Sequence, residues 1–537
     1  MRLRSSKLEL KHIILTGFMG TGKSSVGKVL AARLQLPFID TDEIVEALSQ
    51  KSIAKIFAEE GEAEFRRRES RAIAQALKKP QAVIAVGGGA PCFRNNLEKI
   101  GKGGVPILLT ARISTILQRL SADRSRPLLQ EADKEEKIRA LLAQRAPHYH
   151  RISWQLPTDG RTPEQIAEEI LRLLPLEQSA LRLNLGERSY PLYFQREGLG
   201  ALPGLIRRHC PSERLIVVTN QVVARLYGKT LRRHLQAAFD LRLLILPDGE
   251  QTKNLKSAAK IYEKLVAWKA DRKTPLLAFG GGVIGDLAGF AAATYLRGIP
   301  FVQIPTTLLA QVDSSIGGKT GVDLPAGKNL VGAFYQPRFV LIDESFLKTL
   351  SRRQLTCGMA EVIKYAAIFD AKLFRRLEDS MEGLLERPEA GIEPIIRRCC
   401  ELKAWVVERD EKETLGLRAK LNFGHTVGHA VEALTRYKKF THGEAIAMGM
   451  VFAARFSEGK TGFSSRELDR LQSLIARAGL PTELPKFPIF QYRRALIQDK
   501  KRVSSQIHFV YLNKIGKSAV LPTSLNQVLE FLYAARS

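Results

Sequence analysis

The sequence predicts an α/β protein with three successive parts: a parallel α/β domain, a second α/β domain and a mostly helical domain. Over the first 175 residues, strand-like apolar runs such as HIILTG, AVIAVGG and VPILLTA alternate with amphipathic segments. The alternation starts afresh at LRLNLGERSYPLYF, and helical periodicity dominates from about Ser351 until a late strand, QIHFVYL. The length of 537 residues suits about three or four domains.

The boundaries follow from where the periodic patterns stop. A helix that begins at Thr162 should end near Leu173, because Pro175 disfavours its continuation. The five residues LEQSA then form a short linker before the second α/β domain. The predicted parts are a first domain, a linker, a second α/β domain and a helical domain at residues 1–175, 176–180, 181–350 and 351–537.

The composition is that of a globular protein with an unusual charge. Hydrophobic residues make up 45% of the chain, which is enough to bury a large core and excludes collagen-like and wholly disordered classes. The 83 Lys and Arg residues exceed the 55 Asp and Glu residues, which gives a net charge of +28. This excess raises nucleic acid, anionic membranes and anionic small molecules as partners. Since no arm or tail concentrates it, an evenly basic soluble protein is favoured over one with a dedicated polyanion-binding extension.

Neither a membrane anchor nor a disulfide framework is expected. No apolar run approaches 18 residues, and the basic N-terminus leads straight into a glycine loop, unlike a secretory signal. The five cysteines are odd in number and lack zinc-finger spacing. We therefore expect reduced thiols in a cytoplasmic protein.

A glycine-rich loop lies between the first strand and the first helix. Residues Gly17 to Ser24, GFMGTGKS, fit the pattern G-x-x-x-x-G-K-[ST]. In such a loop the backbone N–H groups cradle phosphates, Lys23 reaches the β- and γ-phosphates, and the Ser24 hydroxyl ligates Mg²⁺. The alternative is a glycine turn without a ligand, which the strand–loop–helix setting disfavours. The loop predicts binding of a nucleoside triphosphate and leaves the reaction open.

Further motifs follow in the order FIDTDEIVE, GEAEFRRRE, VGGGA, RSRPLL and LLAQRAPHY. Together with the loop they resemble shikimate kinase across nearly the whole first domain. The resemblance implies phosphoryl transfer from ATP to shikimate with Mg²⁺. The ATP-binding residues that it implies are Gly20, Thr21, Gly22, Lys23, Ser24, Ser25, Arg126 and Arg161. The shikimate-binding residues that it implies are Asp42, Arg66, Gly88 and Arg145.

The chemistry of these residue types agrees with the implied roles. The guanidinium groups of Arg66 and Arg145 suit a planar carboxylate, and Asp42 would orient or deprotonate the attacking hydroxyl. Asp40 would assist the Mg²⁺ shell, and Arg126 on a mobile lid would stabilise the transferred phosphoryl group. Arg119 resembles a further arginine on the nucleotide side.

Taken singly, two of these motifs have ordinary structural explanations. An aspartate after a strand is usually a helix N-cap. The run Arg66 to Arg68 is more often a solvated helix face. Only the joint spacing of the motifs favours a site over these explanations.

The second α/β domain contains a glycine cluster and two loops suited to anions. Gly280 to Asp286, GGGVIGD, follows the strand LLAF and is not a strict G-x-G-x-x-G. Close packing of a helix on a strand explains it about as well as a dinucleotide does. The segments IPTTLLAQVDSSIGGKTGVD and GKNLVGAFYQP are dense in Gly, Lys, Asp and Thr. Such loops suit anions near several ammonium groups.

Three histidines and one glutamate are candidate metal ligands in the helical part. His425 and His429 in NFGHTVGHAVE have the i, i+4 spacing that lets two imidazoles share a metal. His442 follows in THGEA, and Glu361 in GMAEVIKY offers a carboxylate from another helix. Spacing alone favours the His425–His429 pair, whereas a single helical histidine is usually a satisfied core or surface group.

These segments together closely resemble 3-dehydroquinate synthase, from LGERSYPLY to QDKK and beyond. The resemblance changes the ligand set: it implies Zn²⁺ or Co²⁺ on Glu361, His425 and His442, with His429 beside the metal as a hydrogen-bonding or proton-relay group. Two histidines and one carboxylate leave coordination positions open for a substrate.

The same resemblance implies an NAD site and a substrate site. The implied NAD-binding residues are Asp248, Gly249, Glu250, Gln251, Thr252, Lys253, Gly282, Val283, Ile284, Gly285, Asp286, Thr306, Thr307, Lys319, Lys328, Phe346, Leu347, Lys348 and Thr349. The implied substrate residues are Arg297, Asp313, Lys319, Asn329, Lys364, Lys403, Arg418 and Asn422, together with Lys500 or Lys501. The segment DEKETLGLR is one residue longer than the family spacing, which leaves the register of Lys403 open.

The implied reaction converts DAHP to 3-dehydroquinate and phosphate. NAD transiently oxidises the C5 hydroxyl, phosphate leaves by β-elimination, the hydride returns, and ring opening with aldol closure completes the sequence. The whole chain is thus predicted to be a bifunctional shikimate-pathway enzyme with small-molecule substrates, a homodimer through the synthase part, and no nucleic-acid or membrane partner.

Two other interpretations remain. One is a basic P-loop protein that binds nucleic acid, which predicts a basic stripe or aromatic–basic interleaving that the sequence lacks. The other is an NAD- and metal-dependent polyol dehydrogenase in the C-terminal half, which would accumulate NADH instead of recycling it.

Overall fold

In the computed structural model of the protein, the described residues are 12–121, 134–152, 154–325, 327–499 and 506–534. The chain divides into two units. The N-terminal unit comprises residues 1–179 and 201–211, and the C-terminal unit comprises residues 180–200 and 212–537. Among the described residues, no helix is both long and apolar enough to cross a membrane. None of the five cysteines, all of which are described, forms a disulfide.

The N-terminal unit contains a five-stranded parallel sheet in the order β2-β3-β1-β4-β5. Its strands are β1 His12–Gly17, β2 Phe38–Asp40, β3 Val83–Ala85, β4 Gly104–Thr110 and β5 Gln155–Pro157. Its helices are α1 Lys23–Leu34, α2 Thr41–Ser49, α3 Ile53–Ala76, α4 Asn96–Gly103, α5 Ile113–Leu120, α6 Lys134–Tyr149, α7 Pro163–Ser179 and α8 Leu202–His209. The parallel α/β fold predicted for this part is confirmed.

The glycine loop leaves the middle strand of this sheet. All six residues of β1 are buried, and Ile13 pairs with Val83 on one side and Val105 on the other. Because β1 is buried on both faces, its sequence is a nearly continuous apolar run and does not alternate between apolar and polar residues. Its carboxyl end, Gly17, therefore opens at the edge of the sheet where ligands of α/β proteins bind.

The end of the N-terminal unit differs from the predicted linker. Residues 176–180 were expected to be irregular, but α7 continues through Pro175 to Ser179. Proline inside a helix removes one backbone hydrogen bond. The residues on either side of Pro175, namely Leu173, Leu174 and Leu176, are buried. Their packing outweighs the loss of the backbone hydrogen bond.

The N-terminal unit also includes α8, which the predicted boundary placed in the second α/β domain. A Cβ at Gly204 of α8 would lie 2.8 Å from a Leu173 methyl carbon, so the two helices approach closely. The Arg208 guanidinium lies over the buried Trp154 ring, 4.7 Å from its centroid. The boundary at residue 181 therefore does not separate the two units, because α8 completes the packing around Trp154 and α7.

The C-terminal unit begins with a seven-stranded sheet in the order β6-β7-β14-β11-β10-β8-β9, parallel except for β6. The unit also contains two separate antiparallel hairpins, β12–β13 and β15–β16. The strands are β6 Leu181–Leu183, β7 Tyr190–Phe194, β8 Arg214–Asn220, β9 Asp240–Leu246, β10 Leu276–Gly280, β11 Phe301–Pro305, β12 Lys319–Leu324, β13 Gly327–Phe334, β14 Phe339–Ile342, β15 Gln506–Lys514 and β16 Lys517–Ser524.

Helices dominate the rest of this unit, as predicted. They are α9 Gln221–Leu235, α10 Leu255–Ala267, α11 Gly282–Thr294, α12 Arg352–Phe369, α13 Ala371–Glu386, α14 Glu393–Arg409, α15 His425–Leu434, α16 His442–Thr461, α17 Ser465–Arg477, α18 Ile489–Asp499 and α19 Leu525–Ala534. In α12 every residue from Leu355 to Ile368 is buried. Helix α16 packs against both α12 and α15, so these three helices form the centre of the largest core.

Helices α15 and α16 approach closely because Gly449 has no side chain. A Cβ at Gly449 of α16 would lie 2.0 Å from the carbonyl oxygen of Gly424, the N-cap of α15. We expect Gly449→Ala to destabilise the C-terminal unit by about 1–3 kcal/mol, since neither helix can move without disturbing the core. Chemical denaturation would measure this.

Gly459→Ala is the matched control, because Gly459 lies on the same helix and a Cβ there would meet nothing within 4 Å. We expect it to leave stability unchanged or to raise it by up to about 1 kcal/mol. Equal effects of the two substitutions would contradict the packing argument.

Candidate active sites in the two units

The glycine loop of the N-terminal unit is shaped by two left-handed residues. Gly20 and Gly22 have φ angles of 77° and 90°, which L side chains rarely adopt. Gly22 is the N-cap of α1 and provides no side-chain cap, as is typical of a helix N-terminus that receives a phosphate. Lys23 donates to the carbonyl oxygens of Gly17 and Phe18 at 3.0 and 3.3 Å. Thr21 donates to the same Phe18 oxygen at 2.7 Å.

Two predicted magnesium-side residues are in contact. The Ser24 hydroxyl donates to Asp40 Oδ2 at 3.0 Å. Asp40 also has the ordinary role of an N-cap, since its Oδ1 accepts from the Asp42 N–H at 3.1 Å. One carboxylate thus fixes the start of α2 and faces the first turn of α1, where an oxygen-ligated Mg²⁺ fits.

The predicted shikimate residues surround the segment Gly87 to Gly89. A Cβ at Gly88 would lie 3.0 Å from Arg145 Nη1, and one at Gly89 would lie 2.4 Å from Arg66 Nη2. The Arg145 guanidinium lies over the Phe18 ring of the glycine loop, 5.1 Å from its centroid. The structure therefore brings both arginines beside the same backbone segment.

The three consecutive arginines have different environments. The Arg66 side chain is 12% exposed and bonds Glu62 and Glu69 at 2.9 and 2.8 Å. Arg67 and Arg68 pair with glutamates of their own helix and form the solvated face that the sequence also allowed. Sequence reasoning missed Glu69, which is fully buried and whose pKa is raised by burial. Its i, i+3 spacing from Arg66 was the available signal.

The other predicted nucleotide residues are spread around the loop. Arg119 Nη1 donates to the Gly20 carbonyl oxygen at 3.1 Å, which places it against the loop. Arg161 pairs with Glu169 at 2.6 Å, and Ser25 is an exposed residue of α1. Arg126 lies outside the described residues.

Three candidate metal ligands meet in the C-terminal unit. Ligand atoms of Glu361 on α12, His425 on α15 and His442 on α16 all lie within 4.8 Å of one another. Each histidine Nε2 is 3.7 Å from Glu361 Oε1. The two histidines are the first residues of their helices, fixed by the left-handed Gly424 and by the Thr441–Glu444 capping box.

The donor set fits a divalent metal. Glu361 is 1% exposed, and neither carboxylate oxygen has a hydrogen-bond partner, although the Lys364 ammonium forms an ion pair with it. His425 Nδ1 lies 3.1 Å from the Phe423 carbonyl oxygen, which leaves Nε2 as the free acceptor. Burial and the Lys364 charge lower the pKa of His425 to about 3, so the imidazole is neutral. Although burial lowers it, the carboxylates of Glu361 and Glu432 raise the pKa of His442 to about 10. A metal would replace the proton on Nε2, and two imidazole nitrogens with one carboxylate suit Zn²⁺ or Co²⁺.

His429 lies beside this group but outside it. Its ring centroid is 5.3 Å from that of His425 and 6.2 Å from that of His442. Ligand atoms of His429, Glu432 and His442 form a second close group, which shares His442 with the first. The i, i+4 spacing thus brought two imidazoles together without making both of them neighbours of Glu361.

A buried charge network adjoins the metal ligands. Lys403 Nζ donates to Asp313 Oδ1 at 2.7 Å and to the Asp313 carbonyl oxygen at 2.6 Å. Tyr365 also donates to Asp313 Oδ1, at 2.6 Å. Burial alone would raise the pKa of Asp313, but Lys403 and Lys364 hold it far below its usual range. Asp313 lies on the π-helical turn Ala310–Ser314, a distortion frequent at functional sites.

Two predicted anion ligands share one carboxylate. Glu413 Oε1 lies 2.5 Å from Lys319 Nζ and 3.5 Å from Arg418 Nε. Glu413 belongs to the long segment DEKETLGLR and has a positive φ of 59°. Arg297 and Asn422 are exposed and do not join this group, and Arg297 has a φ of 64°. Sequence reasoning missed Glu413, whose partner Lys319 lies 94 residues away along the chain. Lys500 and Lys501 lie outside the described residues.

Predicted nucleotide residues from three segments, DGEQTK, the start of α11 and β13, contact one another or their neighbours. Lys253 is buried and lies 2.5 Å from Asp286 Oδ2 and 2.6 Å from Asn329 Oδ1. Lys328 lies 3.2 Å from Glu250 Oε1, which joins the β13 strand to the segment DGEQTK. The N-cap of α11 is Gly281, which has no side-chain cap, as at the glycine loop of the N-terminal unit.

The remaining predicted nucleotide residues border the same strand ends. Thr306 and Thr307 directly follow β11, and a Cβ at Gly281 would lie 3.1 Å from Thr307. The segment Phe346 to Thr349 is a 3-10 turn, in which Phe346 packs against Tyr227 with ring centroids 4.9 Å apart. Sequence reasoning missed Tyr227, which also bonds the Thr349 hydroxyl at 2.6 Å.

These features define a P-loop phosphotransferase unit joined to a unit with a nucleotide site and a metal centre. Residues 19–175 match the shikimate kinase family, residues 243–357 match the N-terminal 3-dehydroquinate synthase family and residues 358–502 its C-terminal counterpart. The 3-dehydroquinate synthase of Geotalea uraniireducens is 47% identical over 341 residues, which are 63% of this chain and 94% of that protein.

Solved structures resemble the same part of the chain. The 2-epi-5-epi-valiolone synthase ValA of Streptomyces hygroscopicus, solved with NAD⁺ and Zn²⁺, has 30% identity and a TM-score of 0.61, over 66% of this chain and 99% of that one. A 2-deoxy-scyllo-inosose synthase complexed with carbaglucose-6-phosphate, NAD⁺ and Co²⁺ has 27% identity and a TM-score of 0.61, over 66% and 98%. The chain belongs to the 3-dehydroquinate synthase family and carries a shikimate kinase domain in front of the synthase.

The shared carboxylate of Glu413 predicts a measurable competition. We expect Glu413→Gln to tighten the binding of inorganic phosphate to the C-terminal unit by about three- to tenfold, because it frees Lys319 and Arg418 of a competing charge. Calorimetric titration of the full-length protein with phosphate would measure this.

Glu401→Gln is the control. Glu401 has an exposure of 39%, close to the 40% of Glu413, and pairs with Arg398 on its own helix. We expect this variant to bind phosphate as the parent does. Weaker phosphate binding by Glu413→Gln would show that Glu413 supports the anion site instead of competing for it.

Proposed function

We propose that the N-terminal unit phosphorylates shikimate to shikimate 3-phosphate with ATP and Mg²⁺, and that the C-terminal unit converts DAHP to 3-dehydroquinate and phosphate with NAD and a divalent metal. The observation that carries the synthase assignment is the meeting of Glu361, His425 and His442, whose ligand atoms, one carboxylate oxygen and two imidazole nitrogens, all lie within 4.8 Å of one another. Sequence identity is 47% to a 3-dehydroquinate synthase and 30% to ValA, which favours the former's reaction.

In the kinase, we assign phosphate binding to the backbone of the glycine loop and to Lys23. Lys23 now bonds two loop carbonyls and would exchange them for phosphate oxygens. Ser24 and Asp40, already in contact, would hold the Mg²⁺ shell. Asp42 would orient the attacking hydroxyl of shikimate, and Arg66, Arg145 and the Gly88 backbone would hold the substrate. Arg126 keeps its predicted role at the phosphoryl group.

In the synthase, NAD supplies reversible hydride transfer, and the metal supplies Lewis-acid polarisation of the substrate oxygens. Two structural neighbours, one solved with NAD⁺ and Zn²⁺ and one complexed with NAD⁺ and Co²⁺, support this pair of cofactors. Glu361, His425 and His442 would hold the metal. The segment DGEQTK, the start of α11, Thr306, Thr307, Lys328 and the turn Phe346 to Thr349 would hold NAD.

The remaining polar residues are assigned to the substrate. Lys319 and Arg418 would bind the phosphate group once Glu413 releases them, with Arg297 and Asn422 completing that end. Lys403, Lys364 and Asp313 would bind hydroxyl groups next to the metal, because their charges are buried and paired. His429, beside the metal ligands, would move a proton.

We also propose that the protein is cytoplasmic, forms a homodimer through the C-terminal unit and binds small molecules without nucleic acid. None of the five cysteines forms a disulfide, which supports a reducing compartment. Homodimerisation rests on the family resemblance. Salt-dependent binding of duplex DNA by the full chain would contradict the last part of this proposal.

Two substitutions should separate the activities. We expect Lys23→Met to lower ADP formation with shikimate by about a hundredfold or more, because it removes the cation at the transferred phosphoryl group, and to leave phosphate release from DAHP unchanged. Glu361→Gln should have the reverse effect, because it removes a metal ligand. Each variant is the control for the other, and a loss of both activities in either one would argue against two separate sites.

Metal removal should affect one unit only. We expect extensive dialysis against a chelator to abolish phosphate release from DAHP, with recovery on addition of Zn²⁺ or Co²⁺. Kinase activity, assayed with Mg²⁺ restored, should be unchanged. Steady accumulation of NADH by the metal-loaded protein with a simple polyol would instead support a dehydrogenase, since a synthase recycles its NAD.

A further inference from the structure

His442 has a glutamate on each side of its ring. Its Nε2 is 3.7 Å from Glu361 Oε1, whereas its Nδ1 is 3.4 Å from Glu432 Oε2. Both glutamates are buried, with exposures of 1% and 3%. The two edges of one imidazole therefore face two different buried carboxylates.

The two carboxylates differ in their hydrogen bonds. Glu361 Oε2 forms an ion pair with Lys364, whereas Oε1 accepts no hydrogen bond and lies 3.7 Å from Nε2 of both His425 and His442. In contrast, Glu432 uses both oxygens: Oε2 faces His442 Nδ1, and Oε1 accepts from Lys328 Nζ at 3.3 Å. An oxygen that accepts no hydrogen bond keeps its lone pairs for a metal, whereas a carboxylate engaged at both oxygens acts as an acceptor. This difference assigns different roles to Glu361 and Glu432.

Lys328 is itself fixed by several contacts. Its ammonium lies 3.2 Å from Glu250 Oε1 and 4.4 Å from the centroid of the Tyr437 ring. It is supplied by β13, whereas Glu432 lies near the end of α15. The hairpin that carries Lys328 thus braces the carboxylate that faces His442.

We propose that Glu432 is a positioning residue for the metal centre. It accepts the Nδ1–H of His442, which fixes the tautomer with a bare Nε2 and holds the ring with that nitrogen toward Glu361 and His425. Lys328 holds Glu432 in place. Outer carboxylates of this kind orient metal-bound histidines and raise their basicity. The inference rests on the metal site proposed above.

A second arrangement uses the same residues differently. His429, Glu432 and His442 also have ligand atoms within 4.8 Å of one another, so a metal could be bound there with Glu432 as a ligand. The two arrangements make opposite predictions for the two glutamates. Loss of a ligand abolishes tight binding, whereas loss of an outer carboxylate weakens it by about 10- to 100-fold.

The test measures metal affinity of the full-length protein without reference to activity. Zn²⁺ and Co²⁺ are titrated into metal-free protein against a competing chelator, for the parent and for Glu361→Gln, Glu432→Gln and Glu432→Ala. We expect Glu432→Ala to raise the dissociation constant by about 10- to 100-fold. Glu432→Gln should raise it less, because an amide oxygen still accepts from Nδ1–H. Glu361→Gln should raise it more than either.

The Co²⁺ absorption spectrum adds a readout that a merely structural role would not move. We expect both Glu432 variants to keep the parent spectrum when saturated, because the ligand set is unchanged. Glu378→Gln is the control. It breaks a partly buried ion pair between Glu378 on α13 and Arg470 on α17, and it should leave metal affinity unchanged. Thermal unfolding of the metal-free variants identifies any that fail to fold. If Glu432→Ala fails to fold, Glu432→Gln still decides the test, because its side chain has the same size as that of the parent.

Three results would overturn the inference, and they are distinguishable. Parent affinity in both Glu432 variants would remove the positioning role and leave the metal site intact. Abolished binding in Glu432→Gln with retained binding in Glu361→Gln would place the metal on His429, Glu432 and His442. Parent affinity in Glu361→Gln and both Glu432 variants would reject the proposed metal site itself.

Discussion

The candidate metal centre depends on how closely three helices of the C-terminal unit approach one another. A Cβ at Gly443 would lie 2.2 Å from the Cys357 carbonyl oxygen of α12, and one at Gly428 would lie 3.0 Å from the Ala445 carbonyl oxygen of α16. Glycines at these points let α12, α15 and α16 touch through their backbones. Glu361, His425 and His442 project from the same three helices, so the contacts that pack the core also set the distances between the ligands.

Buried charge is the second constraint on this site. Lys364, Lys403 and Glu361 are buried, and with the partly buried Asp313 they form two ion pairs, Glu361 with Lys364 and Asp313 with Lys403. Burial of such groups costs free energy that ion pairing offsets only in part. Apolar residues of similar volume are often as stable or more stable at such positions, so stability alone does not explain these pairs. The N-terminal unit repeats this pattern on a smaller scale with Arg66 and the buried Glu69.

The sequence predicted the fold class and the glycine loop, because those signals are local or belong to long ordered motifs. The family resemblance grouped Glu361, His425 and His442, and the structure brings these three residues together. Sequence reasoning missed Glu432, Glu413 and Tyr227, whose partners come from distant segments such as the β12–β13 hairpin. Spacing alone favoured His425 with His429, since i, i+4 periodicity reports a shared helix face and carries no information on a third helix. The helix break expected at Pro175 failed because three buried leucines outweigh the loss of one backbone hydrogen bond.

The position of α8 limits how the chain can be cut into two fragments. The polypeptide passes from the N-terminal unit to the C-terminal unit at residue 180, returns at 201 and leaves again at 212. Each unit is therefore discontinuous in sequence, and any single cut assigns a piece of one unit to the fragment that contains the other. A fragment ending at 179 lacks the helix that covers Trp154, whereas one extended to 211 removes β6 and β7 from the larger sheet. In this division, therefore, no single cut of the chain separates the two units completely.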